Sequence, residues 1–172
     1  MTKTTIFKLK DFLSQYRITH QIQDETVYGQ ITISKSSGIS FRENKIGKEI
    51  GRKRQFVIDL QKYPNTVIFT RQGIFDGSIG IAPIDVDGCI ATENMPMFSI
   101  DDKKVLPELF NYFLKSSVFK DRVQELTQTG SAQKAIHERE LLELAFSFPS
   151  SVIEQKKLAK KILLKKSAKI WM

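Results

Sequence analysis

Arg71 and Gln72 stand side by side between two apolar runs, Thr66 to Thr70 and Ser78 to Ile84. A guanidinium donates hydrogen bonds in a fork, and a primary amide donates on one side and accepts on the other. Held on a short turn, these groups can grip the edges of guanine and adenine. A second set, Arg42, Lys45, Lys48, Arg52, Lys53 and Arg54, meets only Glu43 and Glu49 between residues 42 and 54, a net of +4. Such cations suit phosphates, which contribute affinity more than sequence information. A third polar tip, Ser131, Gln133 and Lys134, follows Gly130. Each set also has a plainer reading, as a solvated turn, a charged loop or a linker.

Catalytic chemistry is harder to assemble from these residues. His20 and His137 lie far apart, and the single Cys89 has no metal-ligand spacing to either. Gly38, Gly47 and Gly51 form neither a dinucleotide fingerprint nor a P-loop. Asp85, Asp87, Asp101 and Asp102 fall in turns, where backbone hydrogen bonding explains them. The expectation is no catalytic residue, no metal and no cofactor.

The elements that must position the polar tips follow from periodicity. Leu9, Phe12, Leu13 and Tyr16 have helical spacing, which predicts a short helix over Ile6 to Tyr16. Tyr28 to Ile33 alternates as a half-buried strand. Residues 41–54 carry glycines and charge without a sustained period, and read as a long, basic, mobile loop. Gln55 to Ile58 is strand-like. Thr66 to Thr70 and Ser78 to Ile84 form a hairpin whose tip is Arg71 to Gly77. Asp87-Gly88 marks another turn, with strands at Cys89 to Thr92 and Met95 to Ile100. Leu109, Phe110, Phe113 and Leu114 give one helical stripe, Ser116-Ser117 interrupts it, and Phe119, Val123 and Leu126 restart it.

From Thr129 to Ile162 four parts follow in series: a polar loop to Lys134, a helical turn over Ala135 to Leu142, an apolar strand ending at Phe148-Pro149, and a basic helix. Pro149 can neither continue a helix nor donate to a ladder. Ser151 and Glu154 have capping-box spacing. Leu158, Ala159, Ile162 and Leu163 share one face, and seven lysines between Lys156 and Lys169 occupy the others. A stripe this narrow predicts packing of Leu158, Ile162 and Leu163 against another helix, such as that of a second copy, because an isolated helix of this length is marginal in water. Strands first, then helices, then a last strand predict an α+β fold with a twisted mixed sheet. The domain should span 1–149, with the helix at 150–172.

The 172 residues carry 27 basic and 19 acidic side chains, a formal charge of +8. Residues 60–154 hold 9 basic against 13 acidic groups, so positive charge is concentrated in one segment and one helix. That distribution is the footprint expected on nucleic acid. No run approaches the roughly 20 apolar residues of a membrane span, and the first residues lack a signal-peptide core. A cytoplasmic location and no membrane contact are the default expectations.

Several stretches together resemble a known family. They are Gly130-Ser131 through Ile136, Leu141-Leu142, Phe148-Pro149 and Glu154-Gln155, together with the Leu109–Phe119 segment and the Thr66–Ile84 hairpin with its Arg71-Gln72-Gly73. This pattern resembles a target recognition domain of a type I restriction–modification specificity (S) subunit, over nearly the whole chain. The resemblance implies a non-catalytic protein that reads half of a bipartite site in double-stranded DNA and docks methyltransferase (M) subunits, with restriction (R) subunits joining the full enzyme. It also implies that the helix from Ser151 is a spacer. A whole S subunit carries two recognition domains, so one domain with a short helix reads as a half-subunit, a truncated product or an excised piece. Two other readings stay open: the recognition part of a type IIG-like restriction and methylation enzyme, and a β-rich protein-interaction module.

Overall fold

A computed structural model describes residues 3–126 and 135–170, with 166–170 as backbone only. In chain order its strands are β1 (Thr4–Lys8), β2 (Leu13–Tyr16), β3 (Thr19–Gln21), β4 (Val27–Ser34), β5 (Gly38–Ile46), β6 (Arg54–Val57), β7 (Val67–Phe69), β8 (Ile79–Ile81), β9 (Ile90–Ala91), β10 (Met97–Ile100) and β11 (Ala145–Pro149). The helices are α1 (Pro107–Leu114), α2 (Ser117–Glu125), α3 (Glu138–Leu142) and α4 (Val152–Ile170). Three sheets result, in the orders β1-β11, β2-β10-β7-β8 and β3-β6-β9-β4-β5. Every pairing is antiparallel except β4 with β9. The class is α+β, as the element order predicts.

The helix expected over Ile6 to Tyr16 does not form. Ile6 to Tyr16 is a strand, a single 3-10 turn at Leu9–Asp11, and a second strand. Long-range pairing outweighs the helical spacing. β1 lies against β11, β2 lies against β10, and the Leu9 amide donates to the Leu144 carbonyl at 2.9 Å. The Asp11 carboxylate accepts from the Lys8 amide at 2.7 Å and holds the bend. Leu9, Phe12, Leu13 and Tyr16 are all buried, so the bent path satisfies the same apolar demand as a helix face.

Residues 41–54 also depart from the expected mobile loop. β5 runs to Ile46, paired with β4 from Ser34↔Gly38 to Val27↔Ile46, with an irregularity at Gln30/Ile31. Its Arg42-Glu43-Asn44-Lys45 stretch lies on a ribbon with much solvent contact, so it lacks the alternation that marks a strand with one dry face. A 3-10 turn at Gly47–Glu49 then packs against the turn before β4. A Cβ on Gly47 would sit 1.9 Å from the Gln23 carbonyl oxygen, which fixes glycine there.

Two cores carry the architecture. One gathers Phe12, Phe69, Phe98, Phe110, Phe119, Phe146 and Phe148 with the helices, and the other joins the larger sheets through Tyr16, Ile31, Phe56, Ile68 and Met97. Pro107 opens α1, and Ser116 caps α2 by accepting from the Phe119 amide at 3.2 Å. The cap of α2 thus falls at the Ser116-Ser117 interruption of the apolar stripe.

The junction with α4 is tightly made. Ser151 Oγ accepts from the Ile153 amide at 3.2 Å, while Glu154 turns to Lys157 at 2.8 Å. Gln155 is fully buried. Its Oε1 accepts from the Leu106 amide at 2.7 Å, and its Nε2 donates to the carbonyls of Lys104 at 2.8 Å and Pro149 at 3.0 Å. Ala159 and Ile162 continue the contact with the first core. No helix among the described residues is long and apolar enough to cross a membrane.

Candidate nucleic-acid interface

β7 delivers Arg71 to the corner where three segments meet. The Arg71 amide donates to the Asn94 carbonyl at 3.1 Å, and its own carbonyl accepts from the Ile136 amide at 2.9 Å. Gly77, at φ +89°, closes the 3-10 turn Gly73–Asp76 that completes the hairpin tip. On the far side α3 begins at Glu138, and the Glu140 carboxylate accepts from the His137 amide at 2.9 Å. Backbone bonds therefore fix both Arg71 and Glu138 before their side chains meet.

Those side chains form a two-bond ion pair. Arg71 Nη2 donates to Glu138 Oε1 at 2.6 Å, and Nε to Oε2 at 3.3 Å. The side chains are 26% and 14% exposed, by far the least exposed ion pair between described residues. Burial pushes the Glu138 carboxyl up, but the hydrogen bonds and charge of Arg71 outweigh it, and the net shift is downward. Gln15 Nε2 adds a donor at 3.4 Å, and the Arg17 guanidinium lies 3.7 Å away. Arg17 also covers the Phe56 ring, 5.9 Å from its centroid. Arg71, Glu138, Arg17 and Phe56 bound a cleft of about 240 Å³ whose other walls include Glu93, Met95 and Pro96.

The remaining expected contact residues are more dispersed. Arg42 and Lys45 flank Glu43 on β5, at 3.3 and 3.4 Å. Arg52 reaches Glu93 at 3.3 Å, beside the cleft. Lys53 is tied to Asp24 at 2.5 Å and to the Gly47 carbonyl at 2.8 Å. Lys48, Arg54 and Gln72 are exposed. Ser131, Gln133 and Lys134 lie outside the described residues. On α4, Leu158 and Leu163 are 38% and 53% exposed, whereas Ile162 packs on the core.

Sequence reasoning singled out Arg71 but missed Glu138, which pairs with it only after folding, and Arg17 and Glu93, which line the same cleft. Glu138 is 67 residues away, and nothing local in a single sequence marks that pairing. Gln155 belongs to the Glu-Gln pair of the family pattern, yet its part as a buried clasp was not legible. Among the described residues no group of three or more His, Cys, Asp or Glu is placed to hold a metal ion.

No protein-family model matches the chain. No curated protein matches it either. Solved structures do. A chain from a structure on complex assembly and conformational transition of the type I R-M system matches with a TM-score of 0.73 and 15% identity, covering 97% of this chain and 43% of that one. The HsdS subunit from Thermoanaerobacter tengcongensis matches with a TM-score of 0.71 and 17% identity, covering 97% and 43%. The type I restriction–modification S subunit from M. genitalium gives 0.58 and 16%, covering 96% and 40%. The chain thus spans about two fifths of the length of the solved chains it matches, and over nearly all of its own length it shares their fold.

Proposed function

We propose that this protein is a non-catalytic, sequence-specific DNA-binding module of a type I restriction–modification system, reading one half of a bipartite site and docking methyltransferase subunits. The observation that carries this reading is the fold match over 97% of the chain to a structure of a type I R-M system and to an HsdS subunit. The concentration of cations in residues 42–54 and in α4 supports it independently, since phosphate contact requires such patches. The module works in the cytoplasm, where its DNA is.

In this reading residues 1–149 form the recognition domain and 150–172 the spacer. The stripe of Leu158 and Leu163, with Leu164 exposed beside it, is the seat for another helix, from a second copy or a second recognition domain. An open groove between α1, β11 and α4, lined by Tyr112, Val118, Pro149, Leu158 and Ile162, extends that seat. Lysines on the other faces remain for M subunits or DNA, and R subunits join through the assembled complex.

Retention of duplex DNA by the purified chain over a salt series tests the reading. The logarithm of the affinity should fall linearly with log salt, by about 0.9 per phosphate contacted. Retention that is absent at low salt overturns it.

A further inference from the structure

The cleft beside Arg71 is built differently from the other charged sites. Arg42 and Arg52 each reach one carboxylate at 3.3 Å from side chains that are 60% and 71% exposed. Arg71 is held by two side-chain bonds to Glu138 and by backbone bonds to Asn94 and Ile136. It therefore loses little conformational freedom on meeting a ligand. A guanidinium has five N–H groups. Glu138 takes the one on Nε and one on Nη2, leaving Nη1 and the outer edge of Nη2 for the cleft. One N–H on Nη1 and one on Nη2 form that outer edge, a pair of parallel donors with no acceptor among the described residues.

We propose that this cleft reads a guanine, with Arg71 as the reading residue, Glu138 as the carboxylate that positions it, and Arg17 at the mouth on the adjoining phosphate. The proposal rests on the DNA-binding reading above and names the residue that takes the base. Guanine presents N7 and O6 to the major groove, two acceptors that match two parallel donors, whereas adenine presents one acceptor and one donor. Met95, Pro96 and Phe56 are among the walls, and apolar walls strengthen polar bonds formed beside them. At about 240 Å³ the cleft is smaller than the several hundred Å³ of a site that engulfs a whole small ligand, and suits the edge of one base. Arg17 is 57% exposed and lies 3.7 Å from Glu138, a loose pairing that leaves it able to turn outward to a phosphate.

The test is selection from a random-sequence duplex pool by the full chain, with salt dependence measured on the enriched sequence. Wild type should enrich a motif with an invariant G·C pair at one position. Arg71→Lys keeps a cation against Glu138 and so keeps the corner folded, as a thermal melt will show. It should lose preference at that one position by roughly 10- to 100-fold. Glu138→Gln should relax the same position with the salt slope unchanged, because no phosphate contact is removed. Arg17→Ala should keep the motif and lower the slope by about one. If Arg71→Lys keeps the full motif, Arg71 reads no base and the proposal fails. A Glu138→Gln motif identical to wild type removes the positioning role. Salt-dependent retention by wild type without any enriched motif overturns the guanine assignment while leaving DNA binding intact, whereas no retention at all overturns the DNA reading itself.

Discussion

Where α1, β11 and α4 meet, aromatic rings lie edge to face: Phe12 and Phe110 at 5.1 Å, Phe113 and Phe146 at 4.6 Å, Phe113 and Phe148 at 5.1 Å. Gln155 is the polar group buried at that junction, and its amide makes three hydrogen bonds there. Along β5, β6 and the Arg71 corner the pattern is reversed. Charged side chains lie in or near solvent and pair with carboxylates, some of which are shared: Arg42 and Lys45 meet at Glu43, and Arg71 and Arg17 at Glu138. Exposed pairs of that kind contribute little to stability, a median of about 0–1 kcal/mol. The helical end is thus built to stay together, and the charged end to be re-paired with something else. Substitutions should separate the two ends cleanly.

The largest effect is expected at the helical end. Phe110 is fully buried, and Phe110→Ala should destabilise by about 3–5 kcal/mol in denaturant melts. Gln155→Ala strips partners from the Leu106 amide and the Lys104 and Pro149 carbonyls. It should cost about 2–4 kcal/mol, with the loss of protection in hydrogen exchange greatest at the α1 start and along α4. An uncooperative loss of α4 alone, with the rest of the domain melting as before, would show that the helix is an appendage and not part of the core.

The Arg71 corner should fall between the extremes, and pH reveals it. The folded-state pKa of Glu138 lies below the ordinary 4.5. Its contribution is therefore complete above that value and is lost as pH falls through the lower folded value. Glu143, held down to about 2 by Lys10 and Lys8, titrates on the same side. The informative comparison is thus Glu138→Gln against wild type: the variant should be less stable at pH 7 and show a smaller further loss between pH 5 and pH 3. Parallel pH curves would mean that the ion pair is not formed in solution.

At the charged end, neutralising Arg52, Lys53 and Arg54 together should change stability by no more than about 1 kcal/mol. It should weaken binding to all DNA sequences and flatten the salt slope by up to about three. Arg52 and Lys53 must first leave Glu93 and Asp24, so a drop below three is the expected direction. An unchanged slope assigns these charges to the surface pairs alone.

The smallest stability change belongs to the outer face of α4. Leu158→Ser with Leu163→Ser should abolish helix-mediated association in sedimentation and leave the melt nearly unchanged. Ile162→Ser should instead lower the melting temperature, because Ile162 packs on the core. Equal melts for the two variants would erase that division of the helix.

How much of this was legible in the sequence follows the same contrast. The hairpin around Arg71, the α1–α2 break at Ser116 and the strand ending at Pro149 rest on local chemistry, and each stands near its expected place. Ile6 to Tyr16 was misread because a strand–turn–strand path between two sheets buries residues at helical spacing. Residues 41–54 were misread because a ribbon wet on much of its surface loses the period-2 signal. The Arg71–Glu138 clasp and the Gln155 junction rest on pairings 67 and about 50 residues apart, which a single sequence does not encode locally. The resemblance carried the fold further than periodicity could, because it rests on the order of motifs along the whole chain.

The most direct test is DNA methylation mapped genome-wide in a host with and without this gene, with the proposed methyltransferase partner present in both. A bipartite methylated motif should disappear, or change in one half only, when the gene is removed. A methylation pattern identical in both strains contradicts the proposed function.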